Sequence, residues 1–276
     1  MNSPAEIAKN YLSTGESKCK NAVSKMIVLA IFAGMFIAIA GVGATAAAVS
    51  IKTASVAKLV SGLIFPTGLA MVLVAGSELF TGNNLIIISV LEKRVSVGAM
   101  LKNWFFVYIG NFIGSLIIAL FAVYGGVFKM FGNELASSAV AIANAKVSMP
   151  FFDALIKGIL CNFLVCIAVW MSFGAKTVSG KIIGLFLPIM LFILSGYEHS
   201  VANMYYIPAG LFSLSQFGIE SEVLNWGSFF IKNLIPVTLG NIIGGCGIVG
   251  CGYWFAYLRT CKDVPAAPER VPAGKN

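Results

Sequence analysis

Long apolar runs, cut by short polar stretches, fill residues 26–49, 59–91, 104–128, 154–173, 182–215 and 227–258. A helix needs roughly 20 apolar residues to cross a bilayer core. The pattern therefore predicts an all-α polytopic membrane protein with six transmembrane helices. The second and fifth runs are longer than one crossing requires and carry polar residues in mid-run, Glu78, Thr81, Asn83 and Asn84 in one, Glu198, His199 and Asn203 in the other. Non-helical backbone at membrane depth is tolerated only where protein covers it or water lines it. Helices 2 and 5 are thus expected to be interrupted, around 78–84 and around 196–199.

The flanks follow other patterns. Ser3-Pro4-Ala5-Glu6 is a capping box with proline at the first helical position, and Ile7, Ala8, Tyr11 and Leu12 then share one face. Residues 1–25 are predicted to form an amphipathic helix on the cytoplasmic surface, as an anchor or a gating element. A mildly amphipathic connection, Phe131 to Phe152, separates the third and fourth runs. The stretch 259–276, with Pro265, Pro268 and Pro272, is expected to be a disordered cytoplasmic tail.

The channel domain, 26–258, repeats internally. Gly76-Ser77-Glu78 with Asn83 matches Gly196-Tyr197-Glu198 with Asn203, each Gly-x-Glu-x4-Asn. Asn103 with Gly110-Asn111 and Gly114 matches Asn233 with Gly240-Asn241 and Gly244, each Asn-x6-Gly-Asn-x2-Gly. The first and fourth runs open with Ala22-x-x-Lys25 and Ala154-x-x-Lys157, read as a further matched pair. Repeat one, 26–128, and repeat two, 154–258, each hold an odd number of crossings, so they insert as inverted repeats. That architecture builds its site near the midplane from broken helices, whose half-helix N-termini suit an anion.

Composition narrows the class. Hydrophobic residues make up 58% and charged residues 11%, a membrane composition. The net charge of +8 has no basic stripe with interleaved aromatics, so no nucleic-acid partner is expected; the lipid bilayer is. Thirteen of the 19 basic residues fall on one side if the N-terminus is cytoplasmic, which puts both termini in the cytoplasm. The first 25 residues are polar and give no sign of a secretory signal. Six cysteines are present without metal-site spacing, so no metal and no cofactor are expected.

The chemistry is concentrated in few residues. His199 is the only histidine, and an ionisable group at membrane depth marks a pathway or site by default. It can donate a hydrogen bond, carry a charge, exchange a proton with a weak acid, or simply pack. Thr81 occupies the matching break and is its expected partner across the pore. Glu78 and Glu198 are expected to accept bonds from backbone N–H groups in the breaks, with Asn111 and Asn241 nearby; a cation path lined by the two glutamates is the alternative. Lys25 and Lys157 are read as symmetric cations at opposite mouths, against ordinary snorkelling at helix ends. Leu79, Phe80 and Phe192 adjoin the breaks and are candidate apolar constrictions.

With Glu78-Leu79-Phe80-Thr81-Gly82-Asn83-Asn84, Gly196-Tyr197-Glu198-His199-Ser200-Val201-Ala202-Asn203-Met204 and Asn233-Leu234-Ile235-Pro236-Val237-Thr238-Leu239-Gly240-Asn241 in view, the chain resembles the formate/nitrite transporter family over nearly its whole length. The resemblance implies an aquaporin-like protomer, a homopentamer with one pore per subunit, in a prokaryotic plasma (inner) membrane. It implies His199 as the central pore histidine, Thr81 as its loop partner, Leu79, Phe80 and Phe192 as constrictions, and Lys157 in the extracytoplasmic vestibule. Glu198, Asn203 and Asn241 would form the polar network behind the histidine. The implied cargo is a small monovalent anion of a weak acid, formate, nitrite or hydrosulfide, with the loop Phe80–Asn84 closer to the hydrosulfide/formate side. A facilitator of small neutral solutes is the competing reading, although paired Asn-Pro-Ala motifs are missing; a membrane enzyme is disfavoured by the single histidine and the lack of a metal-ligand cluster.

Overall fold

The computed structural model describes residues Met1–Arg259, which are helical apart from turns and short connections. All of the expected tail beyond Arg259 lies outside the described residues. The capping box forms as read: Glu6 N–H donates to Ser3 Oγ at 3.3 Å and Ser3 N–H to Glu6 Oε2 at 2.6 Å, opening α1, Pro4–Lys20. The helices α2 (Val23–Ala48) and α3 (Ala54–Ala75) follow. A short break leads to α4 (Phe80–Leu91), and α5 (Val97–Tyr124) completes the first repeat. The connection between the third and fourth runs is itself a helix, α6 (Glu134–Val147). Then come α7 (Phe151–Gly174), α8 (Val178–Leu194), α9 (Ser200–Phe217) and α10 (Trp226–Arg259).

Among the described residues, α2, α3, α5, α7 and α10 are long and apolar enough to cross a membrane. The second predicted segment divides into α3 and α4, and the fifth into α8 and α9, so both interruptions are present. The chain leaves α3 through Gly76 at φ 83° and reverses after α8 through Gly196 at φ 70°. A side chain in that left-handed region costs about 1–2 kcal/mol, which is why glycine opens each break.

Each repeat packs on a close helix pair. A methyl group added to Gly34 would overlap the Asn111 carbonyl, and one on Gly114 the Ile31 carbonyl, so α2 and α5 touch backbone to backbone. In the second repeat Gly240 and Gly244 meet the Leu155 and Ile159 carbonyls, joining α7 to α10. Without a hydrophobic drive between helices in lipid, such close approach supplies the dispersion contact. Gly114→Ala should therefore push α2 from α5 and destabilise the fold by about 1–3 kcal/mol. Gly98→Ala is the control, because a methyl group there meets nothing within 4 Å. Thermal melting in detergent should fall for the first and hold for the second; equal shifts would refute the packing account.

Candidate functional site

The two repeats build the same hydrogen-bond frame around each break. Asn83 Nδ2 donates to Glu78 Oε2 at 2.6 Å and to Asn103 Oδ1 at 2.9 Å. In the other half Asn203 Nδ2 donates to Glu198 Oε2 at 2.7 Å and to Asn233 Oδ1 at 2.7 Å. Asn111 takes the Phe80 N–H at 2.9 Å and donates to the Glu78 and Ala30 carbonyls at 2.9 and 2.8 Å. Asn241 takes the Ser200 N–H at 2.9 Å and donates to the Glu198 and Gly158 carbonyls at 3.0 and 2.8 Å. Each asparagine is 1% exposed or less, and Asn111 and Asn241 satisfy main-chain groups that a broken helix leaves free. The expectation for the two glutamates needs correction: their carboxylates accept from asparagine and lysine side chains, not from backbone N–H groups in the breaks, and it is their main-chain carbonyls that the buried asparagines hold.

Both glutamates are ion-paired, and the partners are lysines that the sequence reading passed over. Lys18 Nζ lies 2.9 Å from Glu78 Oε2, and Lys146 Nζ lies 2.8 and 3.0 Å from the two Glu198 oxygens. Asn103 Nδ2 donates to the Lys18 carbonyl at 3.2 Å, and Asn233 Nδ2 to the Lys146 carbonyl at 3.0 Å. Lys18 lies in the last turn of α1 and Lys146 in the last turn of α6, so α1 is the repeat counterpart of α6. The buried faces agree in the same register: Ile7, Ala8, Tyr11 and Gly15 stand where Leu135, Ala136, Ala139 and Ala143 stand. A basic residue in the last turn of an amphipathic helix directly before a crossing was the available signal.

The same register overturns Lys25 and Lys157 as a symmetric pair. Glu78 N–H bonds to the Leu29 carbonyl at 3.3 Å and Glu198 N–H to the Lys157 carbonyl at 3.2 Å, which makes Leu29 the counterpart of Lys157. Lys25 sits one helical turn earlier, where the second repeat has Asp153. The two Ala-x-x-Lys matches therefore fall at non-equivalent positions of the repeat. The frame also sets Leu79 opposite His199 in the repeat, since Phe80 and Ser200 are equivalent; Thr81 matches Val201.

Two cavities approach the frame. The larger, about 660 Å³, lies against α1 and is lined by Lys18, Lys25, Lys181, Glu78 and Leu79 among others. The smaller, about 440 Å³, lies against α6 and is lined by Lys58, Lys146, Tyr197, Glu198 and Tyr206 among others. Lys157 borders neither cavity. His199, Thr81 and Phe192 also border neither, and are 3%, 0% and 2% exposed. They form a dry segment, with Leu79 bordering the larger cavity. Phe192 stacks on the His199 ring at 6.0 Å between centroids and meets Phe65 edge-on at 5.6 Å. The Phe80 ring lies edge-on to Trp104 and Tyr108 and borders a lateral apolar groove, while it shares one buried cluster with Leu79 and Phe192.

The polar centre of the dry segment is defined by hydrogen bonds. His199 caps α9: Ala202 N–H donates to its Nδ1 at 3.0 Å. A backbone N–H only donates, so Nδ1 holds a lone pair and the ring proton is on Nε2. Nε2 lies 2.8 Å from Thr81 Oγ1 and therefore donates to it, which leaves the threonine hydrogen free for another acceptor. The residues predicted as a pair across the two breaks, His199 and Thr81, are in direct contact.

Among the described residues, no group of three or more His, Cys, Asp or Glu side chains is placed to hold a metal ion. Burial, with Glu78 nearby, pushes the Cys19 thiol of α1 up to about 11, so it is protonated and unreactive at neutral pH.

Known proteins resemble this chain in sequence and fold. The family model for the formate/nitrite transporter matches residues 5–255. A probable formate transporter of Methanothermobacter thermautotrophicus is 38% identical over 275 residues, covering 93% of this chain and 97% of that protein. The formate channel FocA of Escherichia coli (strain K12) is 38% identical over 269 residues, covering 93% and 94%. Among solved structures, a pentameric formate channel with formate bound superposes with a TM-score of 0.76 at 37% identity, over 86% of this chain and 98% of that one. An FNT family ion channel gives 0.81 at 30% identity, over 91% and 98%. A match across nearly the whole chain, at this identity and with the same helical fold, shows that the chain belongs to the formate/nitrite transporter family.

Proposed function

We propose that the protein is a channel for small monovalent weak-acid anions, with formate as the first cargo to test and nitrite and hydrosulfide as candidates. One observation carries this reading: two lysine-bearing cavities end on a dry segment in which the His199 imidazole N–H bonds the Thr81 hydroxyl. The relatives named as formate channels support it. An anion entering the dry segment loses its hydration shell, which strongly disfavours the charged form. Compensation comes from donors: the His199 Nε2–H, the Thr81 hydroxyl and the N-terminus of α9, which carries partial positive charge. Either the ion crosses on these donors, or it takes a proton and crosses as the neutral acid. The protomer crosses the membrane six times, with α3/α4 and α8/α9 as the interrupted crossings. The termini face the cytoplasm, and subunits assemble as a homopentamer with one pore each.

The test is flux into proteoliposomes. Formate uptake should exceed that of empty vesicles, be competed by nitrite or hydrosulfide, and leave glycerol excluded; glycerol or water flux without formate flux would replace this reading by a neutral-solute facilitator. Thr81→Val keeps the side-chain shape and removes the hydroxyl. It should slow formate flux about tenfold, the equivalent of ~1.4 kcal/mol for one lost hydrogen bond.

A further inference from the structure

The Lys146–Glu198 pair hides an asymmetry in the smaller cavity. Lys146 is already neutralised by two short contacts to Glu198, and its ammonium also lies 5.5 Å from the centre of the Tyr206 ring. Glu198 is the one carboxylate lining that cavity, and Asn203 and Lys146 occupy it. The remaining charged side chain on the wall is Lys58, near the start of α3. Among the described residues its ammonium has neither a hydrogen bond nor an ion pair. The residue is exposed at the cavity wall, and its side chain reaches inward along it: its Nζ lies 4.0 Å from where a Cβ would sit on Gly196, the glycine that opens the second break. A cation in a concave, low-dielectric wall focuses the field and concentrates counter-ions at that point. A lysine whose charge is cancelled by its neighbour does not.

The geometry points to Lys58, and not the ion-paired Lys146, as the residue that captures the anion in the cavity against α6, at the threshold of the second break. Its ligand is a small monovalent carboxylate or similar weak-acid anion, bound by one ammonium beside the Gly196 backbone. Lys146 holds the frame; Lys58 supplies the uncompensated positive charge. This rests on the anion-channel reading above.

The experiment uses the full chain in liposomes with its orientation fixed by an affinity tag. Formate flux is measured over a range of concentrations, applied first to the α6 face and then to the α1 face, at low and high salt. Lys58→Gln should raise the half-saturating formate concentration about tenfold from the α6 face, the low end of what a focusing cation contributes. From the α1 face it should leave that concentration unchanged, and saturating flux should stay within about twofold, since the dry segment is untouched. Added salt should weaken the wild type and leave Lys58→Gln nearly flat, because screening acts on the charge that the variant lacks. Lys58→Arg, which keeps the charge, should behave as wild type. Half-saturation that is unchanged in Lys58→Gln, or raised equally from both faces, overturns the assignment while the channel reading stands. Absence of formate flux in the wild type overturns both.

Discussion

His199→Leu should reduce formate flux by about a hundredfold or more, the loss expected when one preorganised donor is taken from a site where charge must be stabilised without water. Leucine fills the space between Phe192 and Thr81 but offers no N–H, and it removes the cap that Ala202 N–H finds on Nδ1. The lost cap alone costs about 1 kcal/mol of helix stability, too little to account for such a drop. His199→Asn separates the roles. Asparagine is a strong N-cap and keeps an amide donor, but it takes no proton near neutral pH. If the histidine works as a neutral donor, the form set by its bond from Ala202, the asparagine variant keeps most of the flux and the wild-type pH profile. If the histidine lends a proton, that variant loses its pH dependence together with its rate. Flux against pH for the three proteins decides, and a leucine variant as fast as wild type would remove His199 from the pathway.

The second large effect concerns stability. Lys146→Met should destabilise the protein by about 3–5 kcal/mol, the usual result of removing one member of a buried ion pair. The Lys146 and Glu198 side chains are only 15% and 6% exposed, so water offers the stranded carboxylate little relief. Lys157→Met is the informative comparison. Lys157 holds Glu198 through its main-chain carbonyl, which methionine retains, so its melting temperature should stay close to wild type. Equal destabilisation of the two variants would mean that the charge of Lys157, and not the ion pair, supports the break. Lys18→Met should weaken the α1 side less, because Glu78 takes a single contact from Lys18 against the two that Glu198 takes from Lys146.

Much of this protein was legible from its residue order. A continuous apolar run long enough to span a bilayer has few folded alternatives, so the helices that hold the frame follow from periodicity and length alone. The capping box of α1 formed as read, because Ser3 and Glu6 meet within a single turn. The duplicated glycines, glutamates and asparagines identified the two breaks, and the His199–Thr81 pair followed from placing the breaks together. These signals share a property: each is local, or is repeated in the same order, and a linear pattern carries both kinds of information.

What the sequence alone left open depended on the register in which distant segments meet. Which lysines pair with the glutamates was settled by packing α1 and α6 against the breaks, and the chosen residues are Lys18 and Lys146. Lys25 and Lys157 drew attention through a short repeated spacing, but a helical turn separates equivalent positions, and only the hydrogen bonds from Glu78 and Glu198 reveal the offset. Phe80 neighbours Leu79 in the chain yet turns to Trp104 and Tyr108, since consecutive side chains at the start of a helix point in different directions. Chain order thus determined the class and the repeat, and singled out His199 as the candidate at the second break. Tertiary structure alone decided which charges cancel and which remain exposed to the cavities, because an ion pair depends on distance in space, and distances between helices are fixed only when the two repeats pack.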